Sequence, residues 1–157
     1  MCRLASFLHN PVTGDVFVRD INSHSETEKC APKGLWREGH YLPTGEVEAR
    51  VAPEDHQTQA ECTACVKDRW PRFVDFLGWC WTQPGVLDKG VFSGGLDLRR
   101  LTSAVDLKLP TTVSGELDLR GLTSAVGLKL PTTVSGWLDL RENVRSELGK
   151  REPKNER

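Results

Sequence analysis

The stretch Ser114–Val134, SGELDLRGLTSAVGLKLPTTV, decides the fold, because the chain has just said almost the same thing. Residues Ser93–Val113 read SGGLDLRRLTSAVDLKLPTTV and differ from it at three of 21 positions, namely 95/116, 100/121 and 106/127. A third copy opens at Ser135 with SGWLDLR and gives way to ENVRSELG. A repeat at this period predicts stacked units, each burying its apolar face against the next. The apolar columns are Leu96/Leu117/Leu138, Leu98/Leu119/Leu140, Leu101/Leu122, Val105/Val126, Leu107/Leu128, Leu109/Leu130 and Val113/Val134. Within SGxLDLR the alternation is strict. The two Leu point one way and x, Asp and Arg the other, as a half-buried strand requires.

The pattern LxLxxLTxxxxLxLPxxV over residues 93–141 resembles bacterial leucine-rich repeats. The strand LDL and the Leu109-Pro110 and Leu130-Pro131 turns carry the resemblance. It implies a short β solenoid of 21-residue coils. One departure stands out: Leu101 and Leu122 occupy the place of the Asn or Cys that ordinarily bonds the turn after the strand. That leaves room for a second short strand at LKL. The run holds about two and a half coils where three are usually needed, so both ends require caps. The head domain would cap one end and Glu142–Leu148, as a short helix, the other.

The outward strand face carries Gly95/Glu116/Trp137, Asp97/Asp118/Asp139 and Arg99/Arg120/Arg141. Like charges stacked at strand spacing repel, whereas neighbouring Asp and Arg ladders compensate each other. Two readings stand. One is a solvated, self-paired face with Trp137 shielding the last coil. The other is a protein-recognition face built from Trp137, Glu116, Asp97, Asp118, Asp139, Arg99, Arg120 and Arg141, since Trp and Arg are enriched at interface hot spots. Calcium between the Asp residues is opposed by the Arg two positions on.

The first half holds a second repetition at an offset of 31. His9 aligns with His40, Thr13 with Thr44, Gly14 with Gly45, Val16 with Val47, Arg19 with Arg50 and Thr27 with Thr58. Each copy reads as strand, turn with Thr-Gly, strand, helix. The first helix is expected near Asn22–Ser25 with a Ser25-x-x-Glu28 capping box. The second starts around Pro53-Glu54-Asp55 and runs to Asp68. A third follows Pro71, where FVDFLGWCW is too apolar to be exposed. The fold class expected is α+β: a duplicated ββα head over 1–83, a junction or degenerate coil over 84–92, the solenoid with its cap over 93–148, and a charged tail over 149–157. Trp70, Phe73, Phe76, Leu77, Trp79 and Trp81 are expected to seal the open end of the solenoid.

Composition narrows the function classes. The chain has 157 residues and a net charge of −1, with 21 Lys and Arg against 22 Asp and Glu. Neither half is basic enough to track phosphates, so nucleic-acid binding through the Arg column is a minor alternative. No apolar run approaches 18 residues, and no membrane partner is expected. The first ten residues lack the pattern of a signal peptide. Five cysteines without an export signal favour free thiols in a reducing cytoplasm. Cys62-Thr-Ala-Cys65 could hold half a zinc site with His24 and Cys30 supplying the rest, but the spacing is not that of a knuckle. The pair also falls in mid-helix, away from the helix start that a redox motif requires. No GxSxG, P-loop, GxGxxG or HExxH occurs, so no enzyme and no cofactor is expected.

In style, a small α+β head followed by near-identical Leu-rich coils resembles small proteins of bacterial phages and mobile elements. That resemblance implies a non-enzymatic inhibitor, of the anti-CRISPR type, which binds a defence protein in the cytoplasm of a bacterial host. A metal- or thiol-dependent head with the repeats as docking arm is the alternative. The chain would be a monomer, or a homodimer through its solenoid edges.

Overall fold

The computed structural model describes residues 4–49 and 56–149, with side-chain surroundings from residue 60 onward in the second stretch. The expected start of the second helix at Pro53-Glu54-Asp55 and the tail 150–157 lie outside the described residues. Two compact units divide at Val86/Leu87. The described residues form a mixed α+β fold with four helices, one antiparallel sheet and two parallel ladders.

The first unit runs β1 (Ser6–His9), β2 (Val16–Phe17), α1 (His24–Cys30), β3 (Arg37–Tyr41), β4 (Val47–Ala49), α2 (His56–Arg69) and α3 (Phe73–Cys80). The sheet is antiparallel in the order β2-β1-β3-β4. Gly14 and Gly45, at φ +79° and +97°, sit in the β1–β2 and β3–β4 turns, as the two Thr-Gly pairs predict. The α1 cap differs from expectation. Ser23, not Ser25, is the N-cap, and its hydroxyl accepts from the Glu26 N–H. Starting the helix there places His24 and Thr27 on its buried side. Thr27 Oγ1 then accepts from the Arg19 and Asp20 N–H groups and holds the chain entering the helix. α3 buries Phe73, Val74, Phe76, Leu77 and Cys80, and Asp75 reaches back to the Arg72 N–H at its start.

The core of this unit is aromatic. Phe76 meets Phe7, Tyr41, Trp70 and Trp79 at centroid distances of 5.5, 5.3, 5.1 and 5.7 Å. Tyr41 donates its hydroxyl to the Trp70 carbonyl, so the buried ring leaves no polar atom unsatisfied. Burial holds its ionisation up at about 12.

In the second unit every strand is two residues long and pairs in parallel with the strand 21 positions on. One ladder is β6 (Leu96–Asp97), β8 (Leu117–Asp118) and β10 (Leu138–Asp139). The other is β5 (Val91–Phe92), β7 (Thr112–Val113) and β9 (Thr133–Val134). The second strand is therefore at Thr-Val, three residues beyond LKL. Leu107 and Leu128 instead close turns, each donating its N–H to the carbonyl of Ala104 or Ala125. Residues 91–92 align with the same ladder, so the segment before the first full copy supplies a strand.

Val105 and Val126, counted among the apolar columns, point outward; Ala104 and Ala125 are buried in their place. Val105 is the second residue of the turn Ala104–Leu107, and the third, Asp106, has φ +62°. A side chain at the second position of such a tight turn projects away from the core. Leu96, Leu98, Leu117, Leu119 and Leu138 fill the interior as the alternation predicts.

Two of the three differences between copies have a steric reason. A Cβ on Gly121 would strike the carbonyl oxygens of Arg99 and Leu101. One on Gly127, at φ +80°, would stand 3.0 Å from the Ala104 carbonyl and the Val105 backbone. The second copy lies on the first at these points, so glycine is required where the first copy has Arg100 and Asp106.

Helix α4 (Glu142–Gly149) takes the place of a further copy. Between copies, the Thr123 N–H donates to the Thr102 carbonyl. At the end, Asn143 Nδ2 donates to the Thr123 carbonyl and Glu147 Oε2 accepts from the Ala125 N–H. Val144 and Leu148 are buried beneath them. No helix among the described residues is long and apolar enough to cross a membrane.

Candidate functional site

The outward face of β6, β8 and β10 carries the residues marked by the sequence. Register sets its columns, with Leu96, Leu117 and Leu138 side by side and the flanking positions following.

Asp97 and Arg99 form a bidentate pair, with Nε to Oδ1 at 2.9 Å and Nη2 to Oδ2 at 2.8 Å. Asp118 and Arg120 repeat it at 3.0 and 2.7 Å. Arg99 Nε also lies 3.6 Å from Asp118 Oδ2 in the next copy. Hydrogen bonding to Arg99 holds the Asp97 carboxyl below its ordinary range. In return, bonding to Asp97 and Asp118 raises Arg99 and Arg120 above the usual guanidinium value. Each Asp has a second task. Asp97 Oδ1 accepts from the Arg99 N–H and Asp118 Oδ1 from the Arg120 N–H. This Asx turn supports the bend closed by Leu101 N–H to Leu98 carbonyl and Leu122 N–H to Leu119 carbonyl.

The third copy is different. Arg141 Nε donates to the Arg120 carbonyl at 2.7 Å. Trp137 is 50% exposed, although large aromatics are usually covered. Glu116, beside it in register, is exposed, as is Gly95. Asp139 is half-buried.

The cysteine and histidine candidates in the first unit do not converge. Among the described residues no group of three or more His, Cys, Asp or Glu stands close enough to hold a metal ion. His24 places Nε2 2.8 Å from the Gly39 carbonyl and packs edge-on against His40, with centroids 4.7 Å apart. Cys65 donates to the Gly14 carbonyl at 3.4 Å, and Cys30 is exposed. Cys62 is fully buried, and burial pushes its thiol up to about 12, far from a reactive thiolate. Sequence reading missed the meeting of His24 with His40; the signal available was that Glu38 and His40 share the sheet face covered by α1.

His9 is 3% exposed, and its Nδ1 has no hydrogen-bond partner among the described residues. Burial lowers its proton affinity, with Glu61 partly opposing.

Compared with known proteins, the chain matches no family model, no curated protein and no solved structure.

Proposed function

We propose that the chain is a non-enzymatic protein-binding module: a duplicated ββα head followed by a short leucine-rich-repeat-like solenoid that presents a rigid face to a protein partner. The element order strand-strand-helix occurs twice, and β3 and β4 follow β1 and β2 at the offset of 31. Parallel pairing at a constant 21 residues supports the solenoid reading. The observation that carries the functional reading is Trp137, held half-exposed on a face whose neighbouring charges are fixed. Aromatic anchors on pre-organised surfaces are what interface hot spots are made of. The bidentate pairing of Arg99 and Arg120 opposes a polyanion partner, because phosphates would have to displace carboxylates already in place.

The style shared with small phage proteins makes a bacterial defence complex the first partner to seek, with inhibition as the consequence of binding. The test is capture from bacterial lysate by wild-type chain beside Trp137→Ala/Arg141→Ala and Arg99→Ala. A protein retained by wild type and Arg99→Ala but lost from the double variant places recognition at the third copy. Equal capture by all three moves the site to the first unit, and no capture at all sinks the bacterial-partner reading.

A further inference from the structure

We propose that Arg69 is a second point of recognition, on the first unit, to which the partner protein presents an acidic side chain. The inference rests on the protein-binding reading above but not on the place that reading gives to the third copy.

Arg69 is the last residue of α2, where the helix dipole favours a cation. Its guanidinium lies over the ring of Trp70, 4.4 Å from the centroid. That ring is itself held in place. The Trp70 N–H donates to the Val66 carbonyl, and the Trp70 carbonyl accepts from the Tyr41 hydroxyl. Phe76 and Trp79 stand 5.1 and 4.5 Å from the indole, centroid to centroid. Trp70 is buried, whereas Arg69 is exposed. The cation thus rests on a fixed platform at the surface.

The ring offers no oxygen, so contact with it spends none of the guanidinium's N–H donors. Among the described residues no carboxylate or carbonyl bonds the Arg69 side chain. Other cations of this unit are engaged: Arg72 by Asp75 through Nε and Nη2, and Lys29 by Glu26. Arg69 is therefore ordered without being neutralised. Ordering in advance lowers the entropy that a long side chain loses when it binds. A planar carboxylate matches the guanidinium fork with two parallel hydrogen bonds. A phosphate would call for more positive charge than this place supplies. Arg72, the next cation along the chain, is taken by Asp75, and Lys67 stands two positions back on the helix, facing another way. An apolar group would strip water from the guanidinium and return no bond.

The full chain, uniformly labelled with nitrogen-15, would be titrated with the peptide Ac-Ala-Glu-Leu-Glu-Ala-NH2, with Ac-Ala-Arg-Leu-Arg-Ala-NH2 and with inorganic phosphate. The acidic peptide is expected to move the Arg69 Nε–H and Trp70 indole signals, and the basic peptide to leave them in place. Arg69→Lys keeps the charge but not the planar fork and is expected to weaken the acidic peptide about two- to five-fold. Arg69→Gln is expected to abolish the shift of the Trp70 indole. Position 69 is exposed, so an unchanged spectrum elsewhere verifies the fold of both variants. No shift with the acidic peptide would overturn the proposal and leave Arg69 as a lid on Trp70. Equal binding by Arg69→Lys would overturn it too, because charge alone would then suffice. Phosphate acting on the same signals at lower concentration than the peptide would overturn it in favour of a phosphorylated ligand. A partner captured undiminished by Arg69→Glu chain would also overturn it while leaving the protein-binding reading intact. Acidic-peptide binding at Arg69 without any captured partner would keep the carboxylate site and sink that reading.

Discussion

Asp118 shows how one residue is divided between folding and display. Its side chain is 12% exposed, and it takes both the Arg120 guanidinium and the Arg120 N–H. Truncation to Ala removes an Asx turn as well as an ion pair and is expected to cost about 1–2 kcal/mol. Asp118→Asn keeps the turn acceptor and is expected to recover about half of that. Leu119, fully buried next to it, is expected to cost about 2–5 kcal/mol as Ala. Urea midpoints for the three variants check the order, and a reversed order would mean the strand faces are assigned backwards. His9 predicts a pH effect. Its proton affinity is lowered in the folded state, so the unfolded chain binds more protons below its ordinary value of 6.5. Its contribution is therefore fully present above pH 6.5 and is lost as pH falls from there toward the folded value. Chemical unfolding at pH 7.5 and pH 5.5 should show a drop that is smaller in His9→Gln. An equal drop in both would assign the effect elsewhere.

At the scale of elements, two-residue strands and tight turns hold the second unit together only because the copies stack. Its lateral bonds run from one copy to the next, from Leu96 N–H to the Glu116 carbonyl and from Leu117 N–H to the Trp137 carbonyl. The steric contacts are as one-sided as the bonds. Gly121→Ala drives a methyl into the Arg99 carbonyl and is expected to cost about 1–3 kcal/mol, whereas Arg100→Gly, at the equivalent exposed position of the first copy, is expected to stay within about 0.5 kcal/mol. Thermal melts of the two variants separate the cases. The same logic predicts that a further 114–134 segment inserted after Val134 folds in register. It brings its own glycines for the surface beneath it, and α4 finds the same groups on the new last copy. The urea m-value should rise with the added buried surface and the midpoint should not fall. A lower midpoint would show that the added copy does not stack on the second as the second stacks on the first.

At the scale of the whole molecule, two compact units and a net charge of −1 leave no strongly signed field to steer a partner. Under the proposed protein-binding reading, recognition would then come from shape and from a few placed groups. Fluorescence anisotropy with a labelled single-stranded 20-mer is expected to show no binding at low salt. A salt-sensitive rise lost in Arg99→Ala/Arg120→Ala would return the Arg column to a nucleic-acid role.

What the sequence by itself determined follows from short-range periodicity. The 21-residue period and the Leu-x-Leu alternation place the first strand of each copy and its buried Leu pair, because side chains on a strand must alternate. The spaced Thr-Gly turns and the apolar run after Pro71 likewise mark the hairpins and the third helix of the first unit. Only the tertiary structure decided where stacking or capping competes with local pattern. Val105 and Val126 face solvent because their turns send the second side chain outward, which hydropathy cannot register. The second strand sits at Thr-Val instead of Leu-Lys-Leu because the backbone of Leu107 is already committed to a turn. Ser23 displaces Ser25 as cap because the helix must start early enough to bury His24 and Thr27. The same holds at the site. The eight candidate residues were legible as columns, but the bidentate pairing of Asp97 with Arg99 and of Asp118 with Arg120 inside each copy, and the approach of Arg99 to Asp118 across copies, were decided only by where the tertiary structure places these side chains.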